Sequence, residues 1–184
     1  MFQIQVTQIK DNVNNLKLKV GEKLLLKFTR SYCVEGHQDL AKQNFAPKLY
    51  HNEKIGNWQM IFMEDLQETF STISEDETLT ASQFEKLKQI VAFFHGKGWV
   101  HGDLRRPNIL KSKTNDDIML IDFDWSGKYR EARYPVSLNP ELPWPNGVAP
   151  NALIDKQHDI YWLNKLDPNQ KKGIEKKFVP QKTF

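Results

Sequence analysis

A chain of 184 residues has room for one domain with a real core. Hydrophobic content of 39%, charged content of 27% and a net charge of +3 describe an ordinary globular protein, and the mild charge does not imply nucleic-acid binding. No apolar run approaches the about 18 residues of a membrane span, and the single cysteine, Cys33, excludes an internal disulfide and fits a reducing, intracellular compartment.

The chain opens with alternation. Phe2 to Ile9 and Leu16 to Val20 alternate apolar and polar residues around Asp11-Asn12-Val13-Asn14-Asn15, which predicts a β-hairpin rather than a signal peptide. An upstream leader or domain stays open. Gly21-Glu22 is a second turn, and Lys23-Leu24-Leu25-Leu26-Lys27-Phe28 a third strand. Cys33 to Gln43 reads as a helix with Val34, Leu40 and Ala41 apolar. It ends at Phe45-Ala46-Pro47, because the residue before proline avoids the helical region. Lys48 to Asn52 and Trp58 to Met63 are two more strands, joined across Gly56-Asn57. Thr80-Ala81-Ser82-Gln83 has the form of a capping box. Phe84, Leu87, Ile90, Val91 and Phe94 follow at helical spacing, and Gly98 is placed to end that helix. These aromatics form a core stripe, and His95 reads as structural rather than as a ligand.

Chemistry concentrates in the next stretch, Val100-His101-Gly102-Asp103-Leu104-Arg105-Arg106-Pro107-Asn108-Ile109-Leu110. It has the pattern H-x-D-x-x-x-x-N. Beyond a turn at Thr114-Asn115-Asp116-Asp117 comes Ile118-Met119-Leu120-Ile121-Asp122-Phe123-Asp124-Trp125, an Asp-Phe pair after an apolar run of strand length. Phosphoryl transfer needs a carboxylate to accept the hydroxyl proton and oxygen ligands for Mg²⁺ on the phosphates. Asp103 fits the first need. Asn108 and Asp122 fit the second, since Mg²⁺ is a hard cation that prefers oxygen.

Together these motifs resemble the protein-kinase-like superfamily. His-Gly-Asp and Ile-Asp-Phe-Asp are forms also found in aminoglycoside-phosphotransferase-like kinases. The whole chain is similar to short kinase-like domains of fungi, some carried by Crinkler-type effectors. The resemblance implies an α+β, two-lobed fold with an antiparallel N-lobe sheet and a truncated, mostly helical C-lobe. In one domain, 1–65 would be the N-lobe, 66–168 the reduced C-lobe and 169–184 a basic tail. It implies ATP and Mg²⁺ as cofactors and a protein or small-molecule hydroxyl as acceptor. Lys27 would pair with the phosphates, with Lys23 as alternative, and Glu35 would position it, with Asp39 as rival. Met63 would be the gatekeeper, with backbone groups from Glu64 to Leu66 holding adenine. Arg105 stands where protein kinases carry a lysine that contacts the γ-phosphate. Asp124 either assists Asp122 or caps the strand.

The hairpin loop departs from the kinase pattern, because it contains no glycine to approach the phosphates. Asn and Asp can still adopt the left-handed turn conformation. The segment from Ser126 to Pro150 is rich in proline and glycine and cannot be a long helix. It occupies the activation-segment position without an Ala-Pro-Glu motif. Gly102 replaces the arginine that receives an activating phosphate, so switching by phosphorylation there is not expected. Asn151 to Leu166 reads as a helix in which Asp159 would accept hydrogen bonds from amides near His101. Zinc spacings and a nucleophile elbow are missing. The competing expectation is a pseudokinase-like nucleotide-binding or interaction module, motivated by the glycine-free loop and the short C-lobe.

Overall fold

The computed structural model describes residues 2–5 and 23–169. The expected loop at Asp11–Asn15, the strand Leu16–Val20 and nearly all of the basic tail lie outside the described residues.

Four strands form the upper sheet: β1 (Phe2–Gln5), β2 (Lys23–Thr29), β3 (Leu49–Ile55) and β4 (Trp58–Glu64). Their order is β1-β2-β4-β3, and every neighbouring pair is antiparallel. Side chains alternate across a strand, so Ile61 and Met63 of β4 are buried together against the lower half. Register places Leu25 of β2 opposite Met63 and Lys27 opposite Ile61. The turn between β3 and β4 uses Gly56 at φ +58°, as the Gly-Asn pair foretold.

Helix α1 (Val34–Ala41) buries Gly36, His37 and Leu40. Gly36 permits the close approach to the lower half, since a Cβ there would stand 2.8 Å from Cys33 Sγ and 3.1 Å from the Phe94 ring. Helix α2 (Ala81–Gly96) starts where its capping box predicts: Thr80 Oγ1 accepts from Gln83 N at 3.0 Å, and Thr80 N donates back to Gln83 Oε1 at 3.0 Å. Below it, β5 (Phe70–Thr72), β7 (Ile109–Ser112) and β8 (Ile118–Leu120) make a second antiparallel sheet in the order β5-β7-β8. A two-stranded pair joins β6 (Trp99–Val100) to β9 (Gly127–Lys128). β5, β6 and β9 have only three or two residues each, too few for a periodic signal.

The last helix, α3 (Lys156–Asn164), is shorter than the sequence pattern suggests. Asn151 has φ +60°, Leu153 bridges to Arg133 and Asp155 caps the helix by accepting from Gln157 N. Those contacts hold the preceding residues on an extended path. The main core runs from Ile61 and Met63 through Leu87, Phe94, Leu104, Leu120 and Phe123 to Trp162, so both halves share it. The architecture is α+β in two halves, an antiparallel upper sheet with one helix and a lower half of short strands and two helices. No described helix is long and apolar enough to cross a membrane.

Candidate functional site

A cavity of about 510 Å³ lies where the upper sheet meets the β7–β8 ribbon. Its wall includes Leu25, Lys27, Met63, Glu64, Leu66, Asn108 and Asp122. Residues scattered over most of the chain are thus brought to one cleft. The segment after β4 already commits part of its backbone. Glu64 N donates to Lys48 O at 2.9 Å, and Asp65 N to Lys23 O at 3.3 Å. Among the described residues the Leu66 N–H has no acceptor, which leaves it for a ligand.

The floor of the cleft is the loop from His101 to Asn108. Asp159 of α3, only 1% exposed, braces it from beneath. Its Oδ2 accepts from His101 N at 2.8 Å and its Oδ1 from Gly102 N at 2.8 Å, as the sequence led us to expect. His95 Nε2 lies 2.9 Å from Oδ2 and supports the same carboxylate, a structural role. Gly102 sits at φ +80° with Ile154 Cδ1 2.7 Å from where a Cβ would be. A side chain there would be strained by the backbone angle and would press on Ile154. The residue exchanged for an arginine therefore lets an apolar plug close over the loop: Val100, Tyr134 and Ile154, with Trp125 beside them. The segment after Asp124 is held by packing against this plug.

At the loop's centre, Asn108 Nδ2 donates to Asp103 Oδ2 at 2.8 Å and to Asp103 O at 2.9 Å. Arg105 forks onto Asp103, with Nη2 2.9 Å from Oδ2 and Nε on Oδ1. That bond to Asp103 pushes the guanidinium's proton affinity above its ordinary value. A 3₁₀ turn at Arg106–Asn108, begun by Arg106-Pro107, aims Asn108 back at Asp103.

The roof is built differently. Lys27 Nζ donates to Asp122 Oδ1 at 2.6 Å and lies 2.7 Å from Asp124 Oδ1. The ammonium also sits 5.6 Å from the centre of the Tyr32 ring. Asp122 adopts φ +65°, a left-handed conformation uncommon outside glycine, which turns it toward the cleft. Asp124 Oδ2 accepts from Thr29 Oγ1 at 3.1 Å. Burial raises the Asp124 carboxyl's pKa against the pull of Lys27, and the neighbouring Asp122 charge adds to the rise.

One expected pairing is not formed. Glu35 is exposed in the first turn of α1 and makes no ion pair with Lys27 among the described residues. The cause is helical phase. At about 100° per residue, burying Gly36, His37 and Leu40 turns Glu35 outward. The rival Asp39 accepts from Trp99 Nε1 at 3.0 Å instead. Lys23 pairs with Glu68 at the rim, so of these two candidates Lys27 is the one that lines the cleft.

In the inward place on α1 stands His37. Its Nε2 donates to Pro47 O at 2.8 Å, its Nδ1 is 2.9 Å from the Tyr32 hydroxyl, and its ring stacks on Phe123 at 4.6 Å. Burial lowers its pKa from 6.5 to about 4, which keeps it neutral at physiological pH. His37 and Thr29 carried no signal that local reading could use. A Lys-x-Thr pair on β2 and an Asp-x-Asp pair beyond β8 match only once the two stretches are known to be neighbours.

With this geometry in view, the comparisons with known proteins fall into place. A model of the "Lipopolysaccharide kinase (Kdo/WaaP) family" matches residues 52–134, which hold the floor loop, Asp122 and Asp124 but not Lys27. CBL-interacting serine/threonine-protein kinase 9 of Arabidopsis thaliana is 28% identical over 147 residues, 80% of this chain and 31% of that protein. CBL-interacting protein kinase 3 of Oryza sativa subsp. japonica is 30% identical over 97 residues, 53% of this chain and 21% of that protein. The chain thus spans about a third or less of the length of these curated relatives. Among solved structures, the kinase PK-1 of Cydia pomonella granulovirus is similar at 13% identity and a TM-score of 0.49, over 59% of this chain and 47% of that one. In its floor-loop motif and its Asp-Phe motif, and by these comparisons, the chain is similar to kinases of the protein-kinase-like superfamily.

Proposed function

We propose that this domain transfers the γ-phosphoryl group of ATP to a hydroxyl group of a protein or a small molecule, with Mg²⁺ as cofactor. The observation that carries the reading is the single cleft that gathers Lys27, Met63, Glu64, Leu66, Asn108 and Asp122, with Asp103 hydrogen-bonded to Asn108 at its floor. Apolar Leu25, Met63 and Leu66 suit an adenine ring, for which the Leu66 N–H is a free donor. Lys27 supplies a cation for phosphate oxygens.

The donor set fits Mg²⁺. Asn108 commits its amide nitrogen to Asp103 and keeps its oxygen, while Asp122 gives only Oδ1 to Lys27. Two protein oxygens, completed by phosphates and water, match how this ion is held at such sites. When bound, the ion screens phosphate charge. The remaining work falls to the chain. Asp103 accepts the hydroxyl proton. Arg105 leaves Asp103 for the transferring group, where a cation stabilises developing charge. Asn108 keeps Asp103 oriented throughout.

Two variants test these roles. Mg-ATP at about 100 times its dissociation constant stabilises a fold by about 2.7 kcal/mol, read as a thermal shift. That shift is expected in wild type and in Asp103→Asn, and is expected to shrink in Asp122→Asn. Transfer of labelled phosphate is expected to fall by about 10²–10⁴-fold in Asp103→Asn, the usual share of a positioned base. A wild-type protein with neither shift nor transfer would overturn the reading in favour of a pseudokinase-like module. Loss of the shift in Asp103→Asn alone would reverse the two assignments.

A further inference from the structure

We propose that Asp124, and not a carboxylate on α1, is the positioning residue for Lys27. Lys27 and Thr29 are two apart on β2 and share a face. Asp122 and Asp124 are two apart on the segment that crosses beneath it. Lys27 meets Asp122 and Thr29 meets Asp124, so the two stretches run in register. Cys33 N donates to Phe123 O at 3.0 Å and locks that register from the far side.

The register gives the two carboxylates different tethers. Among the described residues Asp122 is held by Lys27 alone, through Oδ1, and stays 40% exposed at its side chain. Asp124 is the more buried and is fixed by Thr29 through Oδ2. Its Oδ1 is shut off from solvent, and among the described residues no other group donates to it and the one cation beside it is Lys27, 2.7 Å away. A buried carboxylate without a cation is expensive, so Asp124 and Lys27 need each other whatever fills the cleft. Asp122 is then free to turn to a ligand while the ammonium remains held. Thr29 sets the distance, because its hydroxyl fixes the carboxylate on the face from which Lys27 projects. The helix cannot compete: with Gly36 against Phe94 and His37 stacked on Phe123, rotating Glu35 inward would break both contacts.

The test has a spectroscopic arm that is independent of turnover and a kinetic arm that rests on the phosphotransferase reading. A held, shielded lysine ammonium gives a sharp ¹H–¹⁵N resonance in the protein without nucleotide, and loss in Lys27→Met assigns it. That resonance is expected in wild type, kept in Glu35→Gln, and shifted or lost in Asp124→Asn. Thr29→Val, which frees Asp124 without touching its charge, is expected to broaden it and serves if Asp124→Asn does not fold. In the kinetic arm, Asp124→Asn is expected to lower kcat about 10- to 100-fold with a smaller change in KM for ATP, and Glu35→Gln to lose less. Adding Asp124→Asn to Lys27→Met should bring no further loss, since residues acting as one unit are not additive. If wild type transfers no phosphate, the phosphotransferase reading fails and the resonance alone decides this one. An absent Lys27 resonance in wild type, a resonance indifferent to Asp124→Asn and Thr29→Val, or a Glu35→Gln loss equal to that of Asp124→Asn would overturn the proposal.

Discussion

The floor and the roof of the cleft are held by opposite means. The floor is fixed by directional bonds from a buried carboxylate to backbone amides, Asp159 to His101 and Gly102, and by an apolar plug over Gly102. The roof is a cluster of charge, Lys27 between Asp122 and Asp124, over a stack of Tyr32, His37 and Phe123. Backbone bonds to a buried acceptor have few alternatives and make a preassembled surface. A cation between two carboxylates can exchange one of them for a ligand. The floor loop is therefore the rigid part, and the roof is the part built to change partners.

The largest break in that contrast should come from the floor. Asp159→Ala leaves the His101 and Gly102 amides and His95 without their shared acceptor. A stability loss of about 3 kcal/mol or more is expected, read as a lower midpoint in urea. Activity should fall with it, because the loop carries Asp103. Melting and activity both at wild-type level would make Asp159 an ordinary charge and remove the brace from the comparison.

Next in size is Gly102→Ala. The new methyl would meet Ile154 at a backbone angle of φ +80°. About 1–3 kcal/mol of destabilisation is expected from overpacking and left-handed strain together. Pairing it with Ile154→Val, which removes the Cδ1 atom in the way, should restore part of the loss. A pair that is strictly additive would show that the plug is not what glycine accommodates.

The smallest effect belongs to the roof and is a matter of pH. His37 has its pKa lowered from 6.5 to about 4 by burial. The unfolded chain therefore takes up a proton near pH 6.5 that the folded state refuses until about pH 4. The stability linked to this group is full above that upper value and drains away as pH falls toward the lower one. Between pH 7 and pH 5 the loss should be about 2 kcal/mol, at about 1.4 kcal/mol per tenfold change in proton affinity. Urea unfolding at both pH values compares wild type with His37→Gln, whose own loss over that range should be smaller. Equal losses in the two proteins would place the acid sensitivity elsewhere.

Much of the floor is legible in the sequence. The H-x-D-x-x-x-x-N spacing, the capping box at Thr80 and the anticipated brace by Asp159 all describe residues whose partners are near in sequence or belong to a recurring pattern. The roof is only half legible. Lys27 stands out as a cation in an apolar strand, yet Glu35, the carboxylate expected to hold it from a short way along the chain, does not. Asp122 and Asp124 do so from far along the chain.

What the sequence determined by itself is the local code: alternation for strands, caps and apolar stripes for helices, and the spacing of the chemical groups within one loop. These follow from backbone geometry over a few residues, which any short stretch contains. What only the tertiary structure decided is which face of α1 turns inward, and hence that His37 rather than Glu35 meets the Asp-Phe motif. It also decided the alignment of Lys27-x-Thr29 with Asp122-x-Asp124, and the plug that makes Gly102 necessary. Both depend on close packing between segments distant in the chain, where a glycine at one contact sets the phase of a helix and the phase selects the side chains that meet.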